Sequence, residues 1–310
     1  MQIEAINVDT WRVDEEHAIF PIGTRDKQML WSPEARVPQT KANWPYLFKL
    51  SRKEYPDQFW MEVVAWIIGV HIGIDVPKAL PAIRNDHDGT PVCGALLEWF
   101  YDPTCQNFVH AADFFHKLIP DFDDKLGTQH NVGDLSLICR AHSRFANLQT
   151  DWRAWLYDFL LFDTLIGNTD RHQENWGIVF LSEQKGSLMS PFFDNGTSLG
   201  HERFPDRVKG WKTPDLDRYI GKGKHHIRFV RSEPRKKIGH IDSIDFLLQR
   251  VPGARPHLED RLNFNFEALV EQISNLCSID VPLAFTQERA EWIIRLLRRR
   301  FELLHELLEK

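Results

Sequence analysis

The sequence predicts an α+β fold, with strands first and helices after. Three observations carry this. Short β-type runs fill the first hundred residues, and one long helical pattern interrupts them. Beyond residue 104 the apolar residues recur mostly at helical spacing. Among them an apolar segment, Trp155 to Ile166, runs straight into Gly167-Asn-Thr-Asp-Arg-His-Gln-Glu-Asn-Trp-Gly177. That loop leads into a hairpin, Trp176 to Phe180 and Leu188 to Phe193, whose far end delivers Asp194-Asn-Gly196. The length of 310 residues is more than one small core requires.

Taken in order, residues 1–20 read as one or two strands. Pro21 to Lys27 is a loop and Gln28 to Trp31 a strand. Residues 32–45, rich in Pro and polar groups, form a loop, and Tyr46 to Leu50 is a strand with Lys49 inside it. A helix follows from about Asp57, as its N-cap, to Gly73. Phe59, Val63, Trp66, Ile67 and Val70 recur at helical spacing and make one face core. Glu62 falls on that apolar side, where a carboxylate is costly unless paired. Lys49, a cation in an apolar strand, is its obvious partner; the bland alternative is an edge-strand lysine facing solvent. Leu80 to Ile83 and Val92 to Phe100 are strands around an Asp86–Gly89 turn.

Residues 104–150 carry short helical patterns broken by Pro120, Gly127 and Gly133. Residues 197–240 form a loop-rich insert with a basic cluster, Lys222 to Arg228, read first as a solvated loop and second as a peptide or phosphate contact. Residues 241–285 hold one or two helices. A long helix starts near Thr286, and its Arg298-Arg-Arg300 run is expected to face solvent or snorkel.

The loop and hairpin end supply the residue types that phosphoryl transfer needs. A carboxylate must orient and deprotonate the attacking hydroxyl, and magnesium needs hard oxygen ligands. Asp170 fits the first role, and Asn175 and Asp194 fit the second. The Asp170–Asn175 spacing is that of the protein-kinase catalytic loop, Asp-x-x-x-x-Asn. Either half alone reads as turn chemistry; the two together, behind a hydrophobic helix, favour the functional reading.

Other classes are disfavoured. A net charge of −6 argues against direct nucleic-acid binding. Cys93, Cys105, Cys139 and Cys277 lack CxxC spacing, so structural zinc and a disulfide framework are not expected and a reducing, cytoplasmic compartment is the default. The histidines lack zinc-ligand spacing. The N-terminus lacks the basic start and apolar run of a signal peptide, and no uncharged run is long enough for a membrane segment. Secretion without a cleaved signal is compatible with this pattern.

Leu160 to Asn175 followed by Pro191-Phe-Phe-Asp-Asn195 resembles the catalytic segment of HipA-like serine/threonine kinases and, more distantly, that of phosphatidylinositol kinases. The resemblance covers roughly residues 18 to 200. It implies a two-lobed protein-kinase-like fold: a small antiparallel β lobe with one helix, 1–102, and a larger, mainly helical lobe, 103–310. It implies ATP and Mg2+ as cofactors and a protein Ser or Thr hydroxyl as acceptor. In this family a Gly-x-x-x-Lys loop covers the phosphates, and Gly23 to Lys27 matches that spacing. Phe20 stands where some members carry a self-phosphorylated serine. Lys49 matches the nucleotide lysine, and Glu62 matches its helix glutamate when the turn after Gly73 is aligned. Leu96 to Phe100 resembles the hinge, where the carbonyl of Glu98 and the amide of Phe100 would meet adenine. Many such kinases are toxins with a DNA-binding antitoxin partner, which stands here as a hypothesis. The alternatives are a lipid kinase, which the acidic net charge disfavours, and a nucleotide-binding pseudokinase, which the intact Asp170, Asn175 and Asp194 disfavour.

Overall fold

The computed structural model describes residues 2–14, 26–123, 125–182 and 185–310. Gly23 and Phe20, with most of the expected phosphate loop, lie outside the described residues. The chain divides into two units, 1–99 with 195–210 and 265–295, and 100–194 with 211–264 and 296–310.

The first unit is built on a six-stranded sheet ordered β1-β5-β6-β4-β3-β2. Its strands are β1 (Ile6–Asn7), β2 (Arg12–Val13), β3 (Lys27–Trp31), β4 (Pro45–Lys49), β5 (Ala79–Asn85) and β6 (Pro91–Glu98). All pairings are antiparallel except β1 with β5. Helix α1 (Phe59–Ile72) packs on β5 and β6. It ends as the sequence indicates, at Gly73 with φ 65°, a left-handed cap that suits glycine.

Two expectations for α1 change. Asp57 is not its N-cap: the Asp57 carboxylate takes the Arg289 Nε–H at 2.7 Å, and Ser51 Oγ receives the Phe59 N–H instead, at 2.8 Å. Nor is only one face core. Trp60, Met61, Val64 and Ile68 are buried as fully as Phe59 and Val63, while Val70 is exposed. The reason is the 265–295 segment. It brings α9 (Phe266–Asn275) onto α1, and Trp60 donates from Nε1 to the Leu283 carbonyl at 3.0 Å. A helix apolar all round is one covered all round. The short α5 (Pro205–Val208) also belongs to this unit.

The second unit combines a three-stranded sheet, β7 (Asn107–His110), β8 (Gly177–Phe180) and β9 (Ser187–Met189), with helices. These are α2 (Ala111–Leu118), α3 (Val132–Phe145), α4 (Trp152–Ile166), α6 (Thr213–Ile220), α7 (His240–Arg250) and α8 (Ala254–Leu262). The 104–150 region is therefore not purely helical: β7 pairs with β8, far along the chain, and so has no local hairpin signal. Helix α4 is capped by the Asp151 carboxylate, which accepts from Arg153 N and Ala154 N, and it packs on α7 and α8. It stops at Gly167, φ 67°, where a Cβ would meet the Arg300 guanidinium within 2.1 Å. Helix α10 (Gln287–Leu308) gives its first part to one unit and the rest, from Leu296, to the other.

Candidate active site

In the first unit, Lys49 closes β4 and Glu62 lies one turn into α1. Lys49 Nζ donates to Glu62 Oε1 at 3.0 Å, with both side chains buried. The other oxygen, Oε2, accepts the backbone N–H of Asn195 at 2.8 Å, and Gln58 Nε2 donates to the Gly196 carbonyl at 3.0 Å. Glu62 is thus fixed by a cation on one side and by the residue after Asp194 on the other. Two acceptor oxygens with two charge-assisted bonds are what make a buried carboxylate tolerable.

Lys27 opens β3 directly opposite Lys49 in register. Side chains of a directly opposed pair share one face of the sheet. Two ammonium stems therefore rise side by side there. Glu98 ends β6, and its carboxylate takes the Lys41 ammonium at 2.7 Å and the Tyr46 hydroxyl at 3.2 Å. A 420 Å³ hollow lined by Trp11, Leu30, Phe48 and Arg84 also takes in Lys27, but neither Lys49 nor Glu62.

In the second unit, the loop after α4 is set by its own short-range bonds. Asn168 Oδ1 accepts the Asp170 N–H at 2.9 Å, and the Asp170 carbonyl accepts the His172 N–H at 2.8 Å. Asp170 itself is exposed. Asn175 Nδ2 donates to the Asp170 carbonyl at 2.8 Å. That bond fixes the amide orientation and leaves Oδ1 as the atom Asn175 can offer a cation. Asp194 has φ 58°, a left-handed conformation that aspartate tolerates better than most side chains.

Sequence reasoning missed what holds this loop. Asp163, on α4, and Arg171 form a fully buried pair: Arg171 Nε lies 2.9 and 3.0 Å from the two carboxylate oxygens, and Nη2 lies 2.8 Å from Oδ1. Arg171 Nη1 donates to the Phe193 carbonyl at 2.7 Å and, at the outer limit of a hydrogen bond, to the Asn175 carbonyl at 3.5 Å. One guanidinium therefore joins α4, the Asn175 main chain and the residue before Asp194. Burial pushes the Asp163 carboxyl up to about 6, and Arg171 opposes that rise. The available signal was Asp163 itself, a carboxylate inside the apolar run Leu160 to Ile166.

Other supports are equally local. His240 donates from Nε2 to the Asn168 carbonyl at 2.9 Å, and His110 donates from Nδ1 to the Glu174 carbonyl at 2.8 Å. Arg300 is buried rather than solvated and donates to the Leu165 carbonyl at 3.3 Å, capping the end of α4. Phe100 stacks on Phe193 with ring centroids 5.3 Å apart and meets Phe108 edge-on at 5.2 Å.

The donors suit magnesium or manganese. Asn175 and Asp194 present oxygens only. No group of three or more His, Cys, Asp or Glu that could hold a metal occurs among the described residues. An Mg2+ ion held by one or two protein oxygens, with substrate phosphate and water completing its shell, needs no such group.

No protein-family model matches the chain. A stretch of 47 residues is 40% identical to part of the serine/threonine-protein kinase CtkA of Helicobacter pylori, a match that spans 15% of this chain and 14% of that protein. The crystal structure of the Helicobacter pylori proinflammatory kinase CtkA superposes over 99% of both chains with TM-score 0.74 and 18% identity. HipA in the Shewanella oneidensis HipA–HipB–operator DNA complex aligns over 94% of this chain and 66% of its own, with TM-score 0.48 and 12% identity. The superposition on CtkA over 99% of both chains shows that this chain has the α+β fold of a protein kinase.

Proposed function

We propose that this chain is an ATP-dependent serine/threonine protein kinase of the HipA-like type. The observation that carries the reading is the Lys49–Glu62 pair, with Glu62 also bound to the amide that follows Asp194. The two bonds make the buried carboxylate tolerable, and they also tie the strand lysine to the segment that follows Asp194, as a kinase lysine–glutamate pair must be tied when it holds a cation for phosphates.

In this reading Lys49 and Lys27 supply positive charge to the ATP phosphates, with Gly23 in the preceding loop. The Glu98 carbonyl and the Phe100 amide serve the adenine edge. Asn175 Oδ1 and the Asp194 carboxylate would hold Mg2+, which when bound neutralises charge on the phosphates. Asp170 accepts the proton of a Ser or Thr hydroxyl as its oxygen attacks the γ-phosphorus and the bond to the β-phosphate oxygen breaks. Arg171 positions the loop without touching substrate. The 47-residue likeness to a serine/threonine kinase supports a protein acceptor over a lipid one. No helix among the described residues is long and apolar enough to cross a membrane.

The four cysteines are unpaired thiols, in keeping with a reducing, cytoplasmic setting. The family resemblance extends the proposal to a toxin role with an antitoxin partner. Purification of the tagged chain from its host without any stoichiometric companion counts against that extension. The direct test of the kinase reading is incubation with γ-labelled ATP and Mg2+, with and without lysate. Label on protein Ser or Thr is the expected outcome. Label on lipid, or none, rejects it.

A further inference from the structure

Residues 221–240 carry seven Lys and Arg against one Glu, in a chain of net charge −6. They do not form the solvated loop expected of them, since His225, Ile227 and Arg228 are buried. Lys224 and Gly239 form an antiparallel bridge, and His225 N donates to the Ile238 carbonyl at 3.0 Å. Continued by one residue, that register sets His226 across from Lys237. Arg228 fastens the ribbon, donating from Nη1 to the Gly127 carbonyl at 2.9 Å and from Nε to the Pro234 carbonyl at 3.0 Å. His226 meets the edge of His172 with ring centroids 5.9 Å apart. His172 follows Asp170 by two residues. The ribbon therefore borders the loop that carries Asp170, at His172.

Lys237 is the member with work left over. It is half-buried, and among the described residues it has no hydrogen-bond or ion-pair partner. Burial lowers its pKa, Arg228 and Lys224 push it the same way, and only the Asp170 carboxylate opposes them. A partly desolvated cation among like charges favours a bound anion. His226, across the ribbon from Lys237, touches His172 two residues beyond Asp170, so a group attached near a hydroxyl seated at Asp170 falls on the stretch of loop that the ribbon lines.

We infer that Lys237, with Lys224 beside it, forms an acceptor-recognition site that takes an anionic group, a carboxylate or a phosphate, close to the accepting hydroxyl of the protein substrate. The inference rests on Asp170 being the residue that receives that hydroxyl. It names a substrate class that the kinase reading leaves open.

The test uses the full chain and serine peptides that differ at one flanking position: Glu, phosphoserine, Gln or Lys. Binding is measured by fluorescence anisotropy without nucleotide, and kcat/KM is measured with Mg-ATP. The Glu or phosphoserine peptide is expected to bind about tenfold more tightly than the Gln peptide, the size of one charge-assisted hydrogen bond. Lys237→Gln should flatten the ranking, and Lys237→Glu should invert it in favour of the Lys peptide. Because inversion is a gain, a misfolded variant cannot mimic it. A phosphoserine peptide that outranks the Glu peptide identifies phosphate as the preferred anion; equal ranking identifies any carboxylate-sized anion. Equal binding of the Glu, phosphoserine and Gln peptides by the wild-type chain overturns the site. So does a Lys237→Gln variant that loses kcat equally on every peptide together with Mg-ATP affinity, since Lys237 would then serve the nucleotide. Ranked binding without phosphoryl transfer would reject the kinase reading and keep the anion site, and transfer without ranking would do the reverse.

Discussion

Lys27 and Lys49 are opposed across two strands. Both ammonium groups thus project from one face, where a polyphosphate would be attracted by each. Lys27→Ala should weaken Mg-ATP binding by about tenfold, the loss of one charge-assisted contact, with little change in the fold, because Lys27 sits at a strand end. Lys49→Ala should do more, since it also leaves the buried Glu62 carboxylate without its cation. Calorimetric titration of both variants checks the order; a Lys27→Ala chain with unchanged affinity would remove it from the phosphate site. Asp194 is the other informative residue. Asparagine tolerates the left-handed conformation at φ 58° as aspartate does. Asp194→Asn should therefore keep the thermal midpoint while metal-dependent nucleotide binding falls. Tight Mg-ATP binding by that variant would exclude a ligand role.

At the scale of elements, the loop after α4 is shaped by its own short-range bonds and anchored by the Asp163–Arg171 clamp. Arg171→Met leaves Asp163 buried and unpaired, and should cost about 3–5 kcal/mol of stability. The double change Asp163→Leu with Arg171→Met removes both charges. It should recover most of that stability in a urea titration, yet leave turnover low, because the guanidinium that joins α4 to the Asn175 and Phe193 carbonyls is gone. Full activity in the double variant would show that the clamp only stabilises. The same elements mark what was legible beforehand. The Lys49–Glu62 pair could be read because each was a charge inside an apolar element, and one partner lay close in sequence. Asp163 carried the same signal inside α4, but the sequence marks Arg171 and His172 alike as flanks of Asp170 able to shape the loop, and nothing in it pairs Arg171 with Asp163. The β7 strand was hidden because its partner, β8, is remote and its own four residues alternate too little to register. The burial of His225 and Arg228 was hidden because basic composition suggests solvent, whereas the bonds to Gly127 and Pro234 carbonyls satisfy the guanidinium inside.

For the molecule as a whole, the order of parts along the chain was readable, but the division into units was not marked by composition. Segments 195–210 and 265–295 join the first unit through contacts such as Gln58 to the Gly196 carbonyl and Trp60 to the Leu283 carbonyl. Such bonds to main-chain atoms leave no residue pattern. The buried His130, His225 and His240 and the half-buried His226 have a global consequence. Burial, then Arg300, lowers His240 to about 3, and burial, then Lys237, lowers His226 to about 3. His130 and His225 are also held well below the usual range, chiefly by burial. A lowered folded-state pKa means that the unfolded chain takes up protons first, below about pH 6.5. Stability should thus be intact above that pH and fall as the medium is acidified from about 6.5 toward 5, by up to about 1.4 kcal/mol per pH unit for each such histidine. Urea unfolding at pH 7.5, 6.5 and 5.5 checks this; a flat profile would mean these rings are open to solvent. The central claim concerns Asp170. It rests on a general base acting only as the transition state forms, while Asn175 and Asp194 act on the bound nucleotide. The measurement is Mg-ATP affinity by calorimetry beside phosphoryl transfer from γ-labelled ATP, for the wild-type chain and for Asp170→Asn. The expected result is transfer by the wild-type chain, with the variant binding ATP as tightly and losing about 10²–10⁴-fold in turnover. An Asp170→Asn chain that loses affinity in proportion to rate, or that transfers phosphate normally, would contradict it.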